Sequence, residues 1–135
     1  MIDYRIERSI SVEEFKAVLV NSTLGARRPV DDDATLSKMI EQADLLITAR
    51  EEGRLIGVAR SLTDLVYCTY LSDLAVDERY QRMGIGKELI RLTKEAAPTA
   101  KLILLSAPAA VDYYPRIGMT RWEQCYVLDN IEDLK

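Results

Sequence analysis

The sequence contains no histidine, so the commonest general base and the commonest metal ligand of proteins are both missing. Any acid–base chemistry must therefore use carboxylates, tyrosine, lysine, cysteine or water. Only two cysteines are present, Cys68 and Cys125, and each lies within an apolar, strand-like segment. We expect both to be small buried hydrophobic residues rather than a disulfide or a nucleophile, and we expect no metal site.

Long apolar runs and an excess of basic residues are also missing. No apolar stretch approaches the ~20 residues that a membrane-spanning helix requires, and residues 1–5 lack the apolar region of a secretory signal. We therefore expect a cytoplasmic protein with no membrane partner. The 22 acidic residues outnumber the 18 basic ones, for a formal charge of −4. A nucleic acid would meet net repulsion and is not expected as a partner.

The apolar pattern predicts a single α/β domain over residues 1–135, with elements in the order β-α-α-β-β-β-α-β-α-β. Predicted strands cover residues 3–8, 45–50, 55–60, 66–76, 101–105 and 119–128, and predicted helices cover residues 11–19, 31–43, 85–96 and 109–117. Ser11 and Glu14 form a capping-box pattern, and residues 51–54 predict a tight hairpin. The continuous apolar run at 101–105 predicts a strand buried on both faces, paired in parallel after a helical crossover.

The segment between the fourth strand and the third helix predicts an anion site. Residues 71–76 form a buried strand, and a short basic turn then leads into a helix opened by Gly84 and Gly86. The first N–H groups of a helix lack partners and lie at the positive end of its dipole, so they attract a phosphate. A G-x-G pair alone more often marks a turn. Here the preceding strand, the arginines Arg79 and Arg82 and the following helix all agree with a ligand site.

The spacing excludes the two commonest phosphate-binding loops. A Walker loop requires G-x-x-x-x-G-K-[ST], but Gln81 stands at the first glycine position and Glu88 follows Lys87. A dinucleotide fingerprint, G-x-G-x-x-G, requires glycine where Leu89 lies. Residues 81–86 instead fit the pattern Q-x-x-G-x-G.

This loop resembles the acetyl-CoA pyrophosphate loop of the GNAT-type N-acetyltransferase superfamily. A second segment, residues 110–119, is similar to that superfamily's A-x-x-x-Y-x-x-x-G-F element, with Met119 in place of the usual phenylalanine. Together the two motifs cover roughly residues 69–119, and the N-terminal third agrees only in the order of its elements. The resemblance implies a GNAT-like acyl-CoA N-acyltransferase fold, a mixed, mostly antiparallel sheet flanked by helices.

The resemblance also implies roles for the matched residues. The strand backbone at Leu74, Ala75 and Val76 would pair with the acetyl carbonyl and the pantetheine arm. The pyrophosphate would be held by the Gln81 side chain and by the N–H groups of Arg82, Met83, Gly84, Ile85, Gly86 and Lys87. Tyr114 falls at the position of the general acid that protonates the coenzyme A thiolate, and the alternative is an aromatic residue packed on a helix.

The general base is the least defined part. Asp73 lies beside the acetyl-binding strand and is the candidate base, acting directly or through water. The alternative is a strand aspartate that binds the acceptor ammonium or pairs with an arginine. Asp64, with Arg60 on the adjoining hairpin, is a further candidate for the acceptor cleft, although a charged pair near a turn is usually solvated surface.

Two positions depart from the family pattern. Many relatives carry an asparagine seven residues before the tyrosine, where this chain has Ala107, with Ser106 beside it as a substitute. Pro115 directly follows Tyr114, so the helix there is expected to kink or to start late.

We therefore expect an N-acetyltransferase that moves an acetyl group directly from acetyl-CoA, its co-substrate, to a primary amine of a small molecule or peptide. Acidic residues at Asp31–Asp33, Asp64 and Asp73 favour a cationic acceptor, although the triple aspartate is more simply a helix start. The alternatives are a non-catalytic acyl-CoA-binding or regulatory module and a transferase for a longer acyl group. The predicted final strand, with its apolar part at Trp122–Leu128, either pairs with a second subunit in a homodimer or is covered by loops.

Overall fold

A computed structural model describes all residues from Met1 to Lys135. The chain forms two compact units, residues 1–105 and residues 106–135. The longest helix has 12 residues, and none of the helices combines the length and the apolar character needed to cross a bilayer. The expectation of one domain over the whole chain stays a prediction.

The first unit contains five strands and three α-helices. The strands are β1 (Ile2–Ile6), β2 (Leu45–Glu51), β3 (Arg54–Thr63), β4 (Cys68–Val76) and β5 (Lys101–Ile103), and the helices are α1 (Val12–Asn21), α2 (Asp33–Glu41) and α3 (Ile85–Ala96). The sheet order is β1-β2-β3-β4-β5, with every pair antiparallel except the parallel pair β4–β5. The predicted mixed, mostly antiparallel sheet flanked by helices is confirmed.

Local sequence signals explain the helix starts. α1 begins with the predicted capping box, in which the Glu14 N–H donates to Ser11 Oγ at 3.1 Å and the Ser11 N–H donates to the Glu14 carboxylate at 2.9 Å. α2 begins within the aspartate run, as predicted: Asp32 is its N-cap and accepts the Thr35 N–H at 3.1 Å. The triple aspartate is therefore the start of a helix.

A two-residue turn joins β2 to β3. Glu52 and Gly53 have φ values of 50° and 81°, so both adopt the left-handed conformation that a type I′ hairpin turn requires. Arg54 then pairs with Glu51 at the start of the ladder. The predicted hairpin is confirmed.

The sheet separates two apolar cores. On one face, α1 and α2 cover a core that includes Phe15, Leu36, Leu46, Val58 and Ala75. On the other face, α3 covers a core that includes Ile47, Ala59, Leu71, Ile85 and Leu89. Each large apolar side chain buried in this way contributes roughly 1.5–3 kcal/mol to folding.

The predicted burial of residues 101–105 on both faces and the predicted burial of the two cysteines are both wrong. β5 covers only Lys101–Ile103, and it is the last strand of the sheet, with one neighbour. Leu102 and Leu104 pack against the core under α3, whereas Ile103 and Leu105 are exposed, so only one face of this segment is covered. Cys68 and Cys125 are free and exposed rather than buried, since Cys68 starts β4 beside a surface hairpin and Cys125 lies outside any regular element.

The second unit contains only short helical pieces. They are a 3₁₀ turn at Pro108–Ala110, helix α4 at Tyr113–Arg116 and a 3₁₀ turn at Ile131–Asp133. The continuous helix predicted over residues 109–117 is therefore interrupted, and α4 starts late, as Pro115 indicated. Pro115 lies in the first turn of α4, where the missing N–H of proline has no helical partner to lose.

α4 ends where the sequence predicts. The N–H of Gly118 donates to the Pro115 carbonyl at 3.1 Å, and the N–H of Met119 donates to the Tyr114 carbonyl at 3.0 Å. This pair of bonds is a Schellman motif, which stops the helix at Gly118.

The final strand predicted over residues 119–128 is wrong. These residues form no strand, and Trp122, Tyr126, Val127 and Leu128 are exposed. Aromatic and β-branched residues favour a strand only where a ladder partner and a packing surface are present, and composition does not supply either. The homodimer that this strand suggested stays a prediction.

Candidate functional site

β4 loses one of its two neighbours after the third of its nine residues. The β4–β5 ladder contains three residue pairs and ends with Tyr70 opposite Ile103. On its other side, β4 stays paired with β3 as far as Val76, opposite Gly57. Residues 71–76 of β4 therefore have an open edge, the side of the strand that faces away from β3.

The register shows which backbone groups face this open edge. The Asp77 N–H donates to the Ile56 carbonyl at 2.8 Å, so it points towards β3. Backbone groups of successive strand residues alternate between the two sides, so the N–H groups of Leu74 and Val76 face the open edge. The Ala75 N–H faces β3, and the Ala75 side chain is buried in the core under α1 and α2. Of the three strand residues predicted to bind, two are turned towards the edge.

A β-bulge marks the start of the open edge. Arg60 pairs with Asp73 and Ser61 pairs with Leu71, so Ser72 has no partner on β3. The additional residue changes the face of the strand: Leu71 packs in the core under α3, whereas Ala75 packs in the core under α1 and α2. A bulge bends its strand and increases the twist, which separates β4 from β5 at this point.

Two arginines hold this bulge through Asp73. Arg60, the cross-strand neighbour, donates its Nε–H to one carboxylate oxygen, and Arg28 donates its Nε–H to the other. Arg28 also donates to the Ser72 carbonyl at 2.8 Å, and Arg60 donates to Ser72 Oγ at 3.0 Å. We call Arg28, Arg60, Asp73 and Ser72 the bulge clamp.

The bulge clamp includes Asp73, the predicted candidate base, and its catalytic role stays a prediction. Its side chain is 0% exposed, and both of its oxygens accept hydrogen bonds from guanidinium groups. The arginine pairing is therefore the arrangement observed.

The turn that follows β4 presents a row of free backbone amides. A 3₁₀ turn at Glu78–Tyr80 leads to Arg82 and Gly84, which have φ values of 65° and 82°. No side chain caps α3, and its first backbone bond is from the Glu88 N–H to the Gly84 carbonyl at 3.0 Å. The N–H groups of residues 82–87 donate to no acceptor in the protein. Such a run at a helix start forms a concave binding site for an anion.

The charges around this turn also favour an anion. Arg82 and Lys87 are exposed and form no ion pair with a carboxylate. Glu88, the acidic residue in the first turn of α3, is bound by Arg91 at 2.7 Å, and this hydrogen bonding holds the pKa of Glu88 below its usual value. The Gln81 side chain turns back and donates to the Val76 carbonyl at 2.9 Å. The turn thus offers amides and two free cations.

Tyr114 lies in the second unit. Its ring meets the Tyr113 ring edge-on, with centroids 5.2 Å apart and an angle of 76° between the planes. Burial raises the pKa of the Tyr114 hydroxyl, with a smaller contribution from Tyr113, so the phenol stays protonated to a higher pH than usual. Ser106, the suggested substitute for the missing asparagine, donates to the Ala107 carbonyl at 2.7 Å.

Arg28 is the functional residue that sequence reasoning missed. It lies in the connection between α1 and α2, 45 positions before its partner Asp73, and no local pattern links the two. Arg60 was associated with Asp64 instead. Asp64 in fact accepts the N–H groups of residues 66, 67 and 68 at 2.8–3.1 Å and so stabilises the β3–β4 hairpin.

Comparison with known proteins identifies the family. The model of the family described as "Acetyltransferase (GNAT) domain" matches residues 11–135. The chain therefore belongs to the GNAT acetyltransferase family, whose members in general use an acyl-CoA co-substrate and act on amine acceptors.

A curated relative is similar in sequence over part of its length. GCN5-related N-acetyltransferase 2, chloroplastic, of Arabidopsis thaliana is 31% identical over 72 residues, which make up 51% of this chain. The match spans 28% of the length of that protein.

Solved structures share the fold across nearly the whole chain. A GNAT-family acetyltransferase of Streptococcus pneumoniae has a TM-score of 0.79 at 19% identity, covering 97% of this chain and 98% of its own. A probable acetyltransferase of Staphylococcus aureus has a TM-score of 0.75 at 20% identity, covering 96% and 100%. An aminoglycoside acetyltransferase from an uncultured soil metagenomic sample, solved with sisomicin, has a TM-score of 0.71 at 20% identity, covering 96% and 95%.

Proposed function

We propose that this protein transfers an acetyl group from acetyl-CoA to a primary amine of a small molecule or peptide. The observation that carries the proposal is the run of N–H groups at residues 82–87, at the start of α3, that donate to no acceptor in the protein. A diphosphate placed there gains hydrogen bonds and the favourable end of the helix dipole. Arg82 and Lys87 add positive charge that no carboxylate of the protein neutralises.

The open edge of β4 supplies the second part of the proposed site. Residues of a strand advance by about 3.3 Å each, so the edge extends roughly 13 Å from Val76 back to Ser72. An extended pantetheine arm would lie along it and accept hydrogen bonds from the Val76 and Leu74 N–H groups. A backbone N–H beside the acetyl carbonyl would stabilise the negative charge that develops on that oxygen, an effect worth several kcal/mol in other acyl transfers.

In the proposed reaction, Tyr114 supplies the proton that the leaving thiolate takes up. The thioester supplies the acetyl group, its C–S bond breaks as the N–C bond to the acceptor forms, and the sulfur leaves as a thiolate. Tyr114 donates its phenolic proton to that sulfur, a task for which a raised pKa keeps it protonated. The proton lost by the amine passes to water, because both Asp73 oxygens are held by arginines.

The acidic residues do not predict whether the acceptor is cationic, because several of them already have structural roles. Asp32 caps α2, Asp33 pairs with Lys16, Asp64 stabilises a hairpin, and Asp73 belongs to the bulge clamp. A cationic acceptor therefore rests on the likeness to the aminoglycoside acetyltransferase, which shares the fold. The acetyl donor and the cytoplasmic location stay predictions.

A thiol-release assay tests the proposal. Free coenzyme A is measured after acetyl-CoA is mixed with polyamines, aminoglycosides, amino acids or peptides. Turnover with at least one amine is expected, and Tyr114→Phe should lower kcat by roughly 100-fold or more with little change in KM for acetyl-CoA. Tyr113→Phe, the adjacent phenol, is the matched control and should stay close to the wild type. Binding of acetyl-CoA without turnover of any amine would support the non-catalytic alternative.

A further inference from the structure

The bulge clamp lies between two parts of the first unit that are far apart in sequence. Arg28 belongs to the connection between α1 and α2, whereas Asp73 and Ser72 belong to β4. The clamp therefore ties that connection and β3 to the point where β4 leaves β5. Its four residues make two ion pairs and two further hydrogen bonds around a fully buried carboxylate.

A buried ion pair of this kind does not by itself increase stability. The cost of taking charges out of water commonly cancels their attraction, and an apolar replacement of similar volume is often as stable. Two cations around one carboxylate also leave a net positive charge at the bulge. The arrangement is better explained by the geometry that it imposes on the backbone.

That geometry is imposed at one atom in particular. Ser72 has no residue paired with it on β3, because it is the additional residue of the bulge. Arg28 binds the Ser72 carbonyl with Nη2 while it binds Asp73 with Nε. The planar guanidinium fixes the angle between the two acceptors, which sets the direction of the chain as it enters the open edge.

We propose that Arg28 and Arg60 are positioning residues for acyl transfer: acting through Asp73 and Ser72, they hold the bulge that aims the Leu74 and Val76 N–H groups at the pantetheine arm and the acetyl carbonyl. This inference rests on the proposed function. It assigns Asp73 to the support of the edge rather than to proton transfer. The N–H groups of residues 82–87, which would hold the pyrophosphate, lie at the opposite end of the edge, and these residues form no hydrogen bond with the clamp.

Calorimetry with coenzyme A and acetyl-CoA separates the two ends of the site without requiring turnover. Coenzyme A alone reports the phosphate-binding turn together with the pantetheine contacts, and the ratio of the two affinities reports the contacts of the acetyl group. The wild type should prefer acetyl-CoA by roughly threefold to tenfold, the value of one net hydrogen bond. Arg28→Met should reduce this ratio to about one and lower the coenzyme A affinity by no more than about tenfold, because the N–H groups of residues 82–87 still hold the diphosphate.

Arg28→Lys and Arg50→Met provide the controls. Lysine keeps the charge but lacks the planar guanidinium that fixes the angle between Asp73 and the Ser72 carbonyl, so an intermediate ratio is expected. Arg50 lies on β2, separated from β4 by β3, and pairs with Glu7 and Glu14. Arg50→Met should lower the melting temperature and leave the affinity ratio at the wild-type value. If Arg28→Met is unfolded by circular dichroism, the Arg28→Lys ratio decides.

The outcomes are distinguishable. A wild-type ratio in folded Arg28→Met, or no acetyl preference in the wild type, overturns the positioning role and leaves the phosphate-binding turn intact. Equal loss of the ratio in Arg28→Met and Arg50→Met overturns it as well, since general destabilisation would explain both. No binding of either compound to the wild type overturns the proposed function itself.

Discussion

Gly57 of β3 lies against Leu89 of α3. A Cβ atom added to Gly57 would lie 3.3 Å from Leu89 Cδ1 and 3.4 Å from Ile85 Cγ2. Gly57 also pairs with Val76, the last residue of β4 before the turn. The missing side chain therefore lets the start of α3 approach the sheet closely, beside the turn that would hold a pyrophosphate.

Adding a methyl group at Gly57 should disturb that approach. We expect Gly57→Ala to lower the free energy of unfolding by about 1–3 kcal/mol, because an overfilled contact displaces the helix. The displacement should also weaken coenzyme A binding. Urea unfolding and calorimetry measure the two effects.

Gly53→Ala is the control for this experiment. Gly53 has a φ of 81° and nothing within 4 Å of its added Cβ, so alanine there costs stability through backbone strain alone, about 1–2 kcal/mol. Its coenzyme A affinity should equal that of the wild type. Equal losses of affinity in the two variants would contradict a specific role for the α3 contact.

The stability of the protein in acid should depend on Arg50. Hydrogen bonds from Arg50 hold the pKa values of Glu7 and Glu14 below their usual range. Carboxylates with lowered pKa values stabilise the folded state above their unfolded pKa, and this stabilisation is lost as the pH falls through the folded pKa. The wild-type melting temperature should therefore fall between about pH 5 and pH 3.

Arg50→Met should make that decline shallower, because both carboxylates return towards their ordinary pKa values. Thermal unfolding of the two proteins at several pH values between 3 and 6 measures the slopes. Parallel curves would show that the pairing contributes nothing to the acid dependence.

The buried side-chain hydroxyl of Ser61 has no hydrogen-bond partner. Ser61→Ala should therefore leave stability unchanged or raise it by about 1–2 kcal/mol, because the cost of the unpaired hydroxyl disappears.

Ser22→Ala is the matched control for Ser61. The buried Ser22 hydroxyl donates to the Leu19 carbonyl at 2.9 Å and accepts the Leu24 N–H at 3.2 Å. Its removal should cost about 1 kcal/mol. Chemical denaturation measures the free energy of unfolding of both variants. A loss of stability in Ser61→Ala as large as that in Ser22→Ala would contradict the prediction that the Ser61 hydroxyl is unpaired.

The raised pKa of Tyr114 predicts the alkaline limb of turnover. A general acid acts while it is protonated, and burial keeps the Tyr114 phenol protonated above its ordinary value of 10.0. The kcat should therefore stay level through about pH 10 on the alkaline side. A profile of kcat against pH, measured with an acceptor from the amine panel, checks this. A decline centred at or below about pH 9 would assign the limb to another group.

Local signals in the sequence predict much of the first unit. The Ser11–Glu14 capping box, the Glu52–Gly53 turn and the glycine-opened start of α3 each depend on residues within a few positions of one another. The conformations that such signals favour are retained in the folded protein, because they depend on the local backbone and not on distant partners. The free amides at residues 82–87 follow from the same kind of signal.

Features that depend on distant partners escape prediction. The bulge at Ser72 and the pairing of Asp73 with Arg28 require the whole sheet and the α1–α2 connection to be in place. The apolar residues at 119–128 predict a strand, but a strand forms only when a neighbour supplies a ladder. The apolar run at residues 101–105 likewise predicts burial on both faces, but the sequence does not show that only one face receives a covering layer.

A two-dimensional amide NMR titration with coenzyme A tests the central claim most directly. We expect saturable shifts concentrated in the N–H resonances of residues 82–87, with further shifts at Leu74 and Val76. A titration that leaves these resonances unmoved, or moves only resonances elsewhere in the chain, would contradict the assignment of this turn as the site of the pyrophosphate.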